Sequence, residues 1–196
     1  MSFNFADGST QTTASGILEK IWVPCDGRTI TTKSGNNMSI TNVTGLQTFP
    51  GTNYYDLNGS SIVYTPPTGT TLVIYEYAYT QFRWDAHGIA HYKFSIDGNI
   101  IVNSYYSKSA NQQLEHLIHF KFPINIGGST NYDTGQLDSW GSSRTLLLRG
   151  RRYGGSNEAQ VHMTEYSDGT GTNRFHQPCV GVTACLLYTS PSPRDS

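Results

Sequence analysis

Apolar and polar residues alternate along most of this chain. A period of two places successive side chains on opposite faces of a strand, so the pattern predicts β-strands. No stretch repeats apolar residues at helical spacing over three turns with a capping residue before it. The pattern therefore predicts about ten short strands separated by turn residues. Their ranges are 16–24, 28–32, 39–48, 60–65, 71–84, 89–97, 99–104, 114–122, 145–152, 159–166 and 180–184.

Two of these segments carry more specific signals. Segment 71–84 is apolar or aromatic on both faces, which predicts a central strand with cover on both sides. Asp97-Gly98 lies between segments 89–97 and 99–104, and this dipeptide tolerates the positive φ angles of a type I′ turn. We therefore predict a hairpin there.

Fold class follows from the absence of a crossover helix, which makes antiparallel pairing the expected arrangement. We predict an all-β protein, an antiparallel two-sheet sandwich of the jelly-roll type. At 196 residues the chain fits one domain, assigned to 16–184, after a flexible N-terminal arm at 1–15. The segment 127–143 is long for a hairpin loop, and loops of that length are often functional.

The last residues, 185–196, differ in character from the rest. They resemble one reading frame of the transposase-end adapter used in shotgun DNA libraries, which implies an artefactual, adapter-derived tail. On that basis we expect the natural sequence to be reliable only to Ala184. Cys25 and Cys179 then remain, either paired across the fold or present as small buried hydrophobes.

Composition and net charge exclude some classes of protein but do not choose among the rest. Charged residues make up 14% of the chain, against roughly 25% in typical soluble domains. This polar, weakly charged mixture fits secreted and virion proteins, and equally any all-β domain. A net charge of -1 gives no electrostatic case for nucleic acid. No apolar stretch is long enough to span a membrane, and the N-terminal residues lack the features of a signal peptide.

The chain carries no catalytic signature, so we expect no enzyme activity and no cofactor. Gly-x-Ser-x-Gly, His-Glu-x-x-His and Cys-x-x-Cys are all missing from the sequence. His116 and His119 are three residues apart, which on a strand places them on opposite faces, so no metal site is predicted.

A small basic group occurs in and beside segment 145–152, made up of Arg144, Arg149, Arg151 and Arg152. These arginines could meet a carboxylate, a phosphate or a neighbouring subunit. Alternatively, they are the solvated charges that protect an edge strand from aggregation.

Aromatic residues in or beside predicted turns are the candidate binding residues. Such rings can stack on sugars or on another protein, or they can plug the ends of the sandwich. They are Tyr54, Tyr55, Tyr105, Tyr106, Tyr132 and Trp140.

Residues 16–184 resemble a group of uncharacterised proteins common in marine viral and bacterial metagenomes, which are associated with tailed-phage virions. The pattern is also similar to jelly rolls at the ends of phage fibres and, more loosely, to complement and tumour-necrosis-factor domains. The segments that carry the resemblance are 61–70, 94–98, 120–128, 144–148 and 168–178.

The resemblance implies a virion structural protein, a fibre-tip or capsid-decoration domain that contacts the host surface. It further implies a homotrimer, assembled in the bacterial cytoplasm with other virion proteins, whose partner is a host glycan or surface protein. A stand-alone carbohydrate-binding module is the alternative, and it predicts a stable monomer. A glycan depolymerase is the least favoured function. It predicts a carboxylate pair or a metal in a cleft, and neither the sequence nor the resemblance offers one. The sequence does not distinguish a tail fibre from a capsid decoration.

Overall fold

Eight principal strands form two sheets that pack face to face. The structure is a computed structural model that describes residues 3–4, 10–11, 16–82, 88–110, 116–154, 159–166 and 172–187. The principal strands are β1 (Gly16–Pro24), β2 (Ile62–Tyr64), β3 (Leu72–Phe82), β4 (Gly88–Ile96), β5 (Tyr106–Ala110), β6 (His116–Ile126), β7 (Arg144–Arg152) and β8 (Cys179–Leu186).

Shorter elements extend these sheets or form small pairs beside them. The short strands are Phe3–Asn4, Thr10–Gln11, Thr29–Thr31, Asn37–Ser39, Gln47–Thr48, Tyr55–Asp56, Asn99–Ile100, Gln136–Leu137, Gln160–Val161, Met163–Tyr166 and Thr172–Phe175. One 3₁₀ turn spans Val102–Ser104. Within the described ranges, no helix is long and apolar enough to cross a membrane.

The strand order is that of an eight-stranded jelly roll. The first sheet has the order β1-β8-β3-β6, and the second has the order β2-β7-β4-β5, with antiparallel pairing between all these neighbours. Apart from the β4–β5 connection, each principal strand is followed by one in the other sheet, which gives two interleaved Greek keys. The predicted all-β, antiparallel, jelly-roll-like sandwich is confirmed.

The core lies between the sheets and is rich in aromatic residues. On β3, Tyr75, Tyr77 and Tyr79 are fully buried, while Leu72 and Ile74 on the outer face are only half-buried. The central position of β3 is therefore confirmed, but the predicted cover on its second side is only partial.

Buried phenol groups in this core are paired rather than left free. Tyr75 donates to the Ser60 carbonyl, and the Tyr79 and Tyr106 hydroxyls lie 2.7 Å apart. Burial raises the pKa of Tyr75 and Tyr79 well above the ordinary value, so both remain protonated. A buried hydroxyl without a partner would be costly, so these bonds fix how the tyrosines pack.

The predicted hairpin turn is confirmed, because Asp97 and Gly98 have φ angles of 50° and 82°. The strand after it is shorter than expected, since only Asn99–Ile100 pairs with β4. The chain then enters the 3₁₀ turn, where the Ser104 hydroxyl accepts from the Phe94 amide and donates to the Ile101 carbonyl.

Other strand boundaries also differ from the sequence expectation. Of the predicted strand 39–48, only Ser39 and Gln47–Thr48 are in strands. Strand β5 was not predicted. The predicted strand 159–166 is interrupted at His162, which has a φ angle of 66°.

Little of the chain's two predicted terminal segments is described. Within the predicted arm, Phe3–Asn4 pairs with Thr10–Gln11, and the other residues up to 15 lie outside the described ranges. Strand β8 continues beyond Ala184 through a register shift, and the Thr71 amide donates to the Cys185 carbonyl at 2.9 Å. Residues 188–196 lie outside the described ranges, and the adapter origin of the tail stays a prediction.

Both remaining cysteines are free thiols in this fold. The buried Cys25 thiol donates to the Gly59 carbonyl at 3.3 Å, and burial raises its pKa to about 12. Cys179 is half-buried on β8, whose core-facing residues are Val180 and Val182. Because side chains alternate along a strand, Cys179 faces outward, away from the core that contains Cys25.

Candidate functional site

The arginines of β7 lie at the middle of the second sheet, not at its edge. Strand β7 pairs with β4 on one side, and with β2 and Tyr55–Asp56 on the other. The edge-strand interpretation of these arginines is therefore wrong. The cross-strand register places Lys93 opposite Arg149 and His91 opposite Arg151.

These four residues share the outer face of the sheet, because the intervening residues Tyr92 and Phe94 are fully buried in the core. Two tyrosines border them. We call this surface the basic face and define it by six residues: Tyr54, His91, Lys93, Arg149, Arg151 and Tyr153.

Like charges directly opposite one another destabilise a sheet. Consistent with this, the pKa of Lys93 is lowered, first by burial and then by Arg149 and Arg151. The pKa of His91 is also lowered, by burial and by Arg151, which favours a neutral imidazole at neutral pH. The positive charge concentrated here does not stabilise the fold by itself.

Only part of this charge is neutralised within the described residues. Arg149 donates to Asp56 at 2.8 Å, and that carboxylate is well exposed. Arg151 donates to the Thr52 carbonyl at 3.2 Å, while its buried Nε has no hydrogen-bond partner. Neither Lys93 nor Arg151 forms an ion pair in the described part of the chain, so two cations are left without a counter-ion.

Aromatic rings contact this charged group from two directions. The Lys93 ammonium lies 4.0 Å from the centroid of the Tyr54 ring, and the Arg151 guanidinium carbon lies 5.2 Å from it. The ring of Tyr153 stacks on that of His91, with centroids 5.3 Å apart and an interplanar angle of 15°. Tyr153 is 57% exposed, so one flat apolar surface beside the cations is open to a ligand.

The structure does not bring the six predicted aromatic residues together. Tyr54 belongs to the basic face, whereas Tyr55 and Tyr132 are half-buried against the core. Trp140 is buried and its indole N–H donates to the Tyr64 carbonyl at 3.2 Å, so it plugs one end of the sandwich.

Tyr105 and Tyr106 line a groove of about 490 Å³ between β5 and β6. Tyr105 is 52% exposed, but the hydroxyl of Tyr106 is bonded to the core tyrosine Tyr79. Tyr105 is therefore the residue of this pair that is free to contact a ligand.

A second polar cluster lies on the outer face of the first sheet. The nearly buried carboxylate of Glu76 lies 2.6 Å from the Lys121 ammonium and 3.4 Å from the His119 imidazole. The Trp22 ring contacts that of His119, with centroids 5.2 Å apart. Glycoside cleavage by the common mechanisms requires a pair of carboxylates, and this cluster supplies one that is already neutralised. Among the described residues, no group of three His, Cys, Asp or Glu side chains could hold a metal.

Sequence reasoning named Tyr54, Arg149 and Arg151 but did not bring them together as one surface. Lys93 and Tyr153 were not singled out, although the alternation of segment 89–97 already placed Lys93 on its polar side. The pairing of β4 with β7 joins residues fifty or more positions apart, and no local pattern encodes that pairing.

Comparisons with known proteins give no family assignment. No family model and no curated protein matches the chain. One similar solved structure is that of infectious bursal disease virus Gx strain, at 12% identity and a TM-score of 0.26, covering 77% of this chain and 38% of the other. Another is an exo-beta-agarase, at 9% identity and a TM-score of 0.23, covering 99% of this chain and 26% of the other. At these TM-scores neither likeness carries an argument about function.

Proposed function

We propose that this chain is a non-catalytic structural domain of a phage virion, a fibre tip or a capsid decoration, that contacts the host surface through the basic face. The observation that carries the contact is the pair of cations beside Tyr54, Lys93 and Arg151, which have no counter-ion among the described residues. The eight-stranded jelly roll and the resemblance to phage virion proteins support the virion setting. In this proposal the domain is assembled in the bacterial cytoplasm with other virion proteins and is located in the virion.

The basic face suits a binding role because its strands are rigid. Its cations lie on β4 and β7, which pair over seven consecutive positions at the centre of the second sheet. Side chains on paired strands lose less freedom on binding than side chains on loops, so such a surface is preorganised.

Adsorption to bacterial cells tests the contact. The fluorescently labelled protein is expected to adsorb to cells of a susceptible host, and the double variant Lys93→Gln/Arg151→Gln is expected to lose most of that adsorption. The matched control, Lys20→Gln/Arg28→Gln, removes one lysine and one arginine elsewhere on the surface. Equal adsorption by both variants would exclude the basic face as the contact surface.

The virion part of the proposal includes a homotrimer, and light scattering on the full-length protein tests it. A stable trimer supports a fibre or decoration domain. A monomer that still binds glycans supports the second candidate, a stand-alone carbohydrate-binding module. That candidate is favoured by the exposed Tyr153 ring beside polar donors, an arrangement suited to stacking on a sugar.

A further inference from the structure

We propose that the basic face binds an acidic polysaccharide, one that carries sulfate or carboxylate groups along its chain. This inference rests on the proposed function, since it names the class of host-surface molecule that the same surface would recognise. It goes further by requiring negative charge in the ligand, which a contact with a neutral glycan does not.

The first argument is the unbalanced charge. Lys93, Arg149 and Arg151 occupy neighbouring positions on paired strands, and Asp56 is their one carboxylate partner among the described residues. Like charges on neighbouring strand positions destabilise the free protein. A ligand that supplies anions to these cations would explain why the arrangement is present. Oxyanions do this well, because charge-assisted hydrogen bonds from guanidinium groups are among the strongest in proteins.

The second argument is an unpaired donor. The Nε of Arg151, like that of Arg144 and Arg152, is buried and has no hydrogen-bond partner among the described residues, while another nitrogen of the Arg151 guanidinium donates to the Thr52 carbonyl. A buried N–H without an acceptor costs roughly 1–3 kcal/mol, so Arg151 is held in a costly arrangement in the free protein, and a ligand that repositions its guanidinium would relieve that cost.

The third argument concerns spacing. Residues opposite one another on paired strands are about 5 Å apart, and residues two positions apart on a strand are about 7 Å apart. The cations therefore cover an area larger than one small anion. A chain with repeated acidic groups can contact more than one of them, and a sugar ring beside each group can stack on Tyr153 or pack against Tyr54.

Nucleic acid is also a polyanion, but the rest of the protein does not suit it. The chain has a net charge of -1, and the basic face leaves only two cations without a counter-ion in the described part of the chain. Proteins that bind nucleic acid by charge usually present a wide basic surface that contacts many phosphates. We therefore favour the polysaccharide, and nucleic acid becomes one outcome of the test.

The test measures binding of the full-length protein to four probes at 50 and 200 mM salt. The probes are heparin fragments, which are sulfated, polygalacturonate, which is carboxylated, dextran, which is neutral, and an oligo(dT). We expect heparin or polygalacturonate to bind at least tenfold more tightly than dextran. Lys93→Gln/Arg151→Gln should weaken that binding at least tenfold and lower the slope of log Kd against log salt by about two. Lys20→Gln/Arg28→Gln should stay within twofold of the unmodified protein.

Each other outcome overturns the inference in a distinct way. Dextran binding as tight as that of the acidic probes would remove the requirement for charge, and tighter binding of oligo(dT) would favour nucleic acid. If the protein adsorbs to cells and the double variant loses that adsorption, but neither acidic polysaccharide binds, then the inference fails while the proposed function stands. If cell adsorption is also unaffected by the double variant, both fail. Thermal unfolding of each variant checks that lost binding is not lost folding.

Discussion

His162 should make the stability of this protein depend on pH between about 6.5 and 4. The residue is fully buried, and its ring meets those of Tyr77 and Tyr79 edge-on, with centroids 6.5 and 6.3 Å apart. Burial lowers the pKa of the imidazole to about 4, a contact with the Asn58 backbone opposes the shift, and the nearby His176 adds to it. Protonation therefore places a charge in an aromatic part of the core.

The sign and size of the effect follow from linkage. An unfolded chain binds this proton near pH 6.5, the ordinary histidine value, whereas the folded chain binds it only near pH 4. The contribution of His162 is therefore fully present above pH 6.5 and is lost as the pH falls. The loss reaches about 2 kcal/mol at pH 5 and about 3 kcal/mol at pH 4. Such a loss is a large part of the stability of a typical domain.

Urea denaturation at a series of pH values measures the effect. The control is His162→Asn, because asparagine tolerates the positive φ angle of 66° at this position and does not titrate. This variant is expected to be less stable at pH 7 through lost packing, but to have a flatter profile between pH 6.5 and 4. Other titrating groups, including His91 and the carboxyl groups, are common to both proteins and cancel in the difference.

Parallel profiles for the two proteins would refute the reasoning, since they would show that the folded and unfolded chains bind this proton at the same pH and that folding does not lower the pKa of His162. A direct check is the NMR titration of the His162 ring protons. A midpoint near 6.5 in the folded protein would mean that the imidazole reaches water or an acceptor, and that the buried arrangement is incorrect.

Three further predictions can be checked by the same denaturation method. Gly98→Ala should lower the free energy of unfolding by about 1 kcal/mol, because only the positive φ angle of this residue disfavours a side chain. Gly181→Ala should lower it by about 3 kcal/mol, since the new Cβ would lie 2.2 Å from a backbone oxygen of the adjacent strand. Tyr79→Phe and Tyr106→Phe should each cost about 1 kcal/mol, and the double variant less than their sum, because both remove one shared hydrogen bond. Cys25→Ser should have the same modest cost with and without reductant, because the thiol is free; a loss confined to oxidising conditions would demonstrate a disulfide.

The sequence predicted the architecture well where side-chain alternation controls it. Strand β3 and the turn at Asp97 and Gly98 were identified because burial of one face and positive φ angles are local properties. Strand β5 was missed, because its sequence, Tyr-Ser-Lys-Ser-Ala, is stabilised by pairing with β4 and not by its own pattern. The break at His162 was missed for a related reason, since a single left-handed residue leaves little trace in a hydrophobic pattern.

The candidate site was harder to predict, because exposure of an aromatic ring depends on tertiary packing. Tyr105 and Tyr106 are adjacent in sequence, yet the first is exposed and the second is bonded to a core tyrosine. Trp140, within the predicted long loop, is drawn inward because its indole N–H finds the Tyr64 carbonyl. Of the six aromatic residues predicted to bind a ligand, Tyr54 alone belongs to the basic face.

The two outer faces of the sandwich offer an internal comparison that strengthens the assignment of the basic face. On the first sheet, the nearly buried carboxylate of Glu76 forms an ion pair with the Lys121 ammonium at 2.6 Å. Such pairing is expected because a buried charge without a partner is costly. On the second sheet, Lys93 and Arg151 receive no such partner from the described residues, although both lie among other cations. Among the described residues, the first sheet thus pairs its nearly buried charge and leaves the exposed Lys20 without an ion pair, whereas the second sheet leaves the half-buried Lys93 and Arg151 without one. Water satisfies an exposed lysine, but a half-buried cation without a partner is costly, and this difference supports a ligand that completes the basic face.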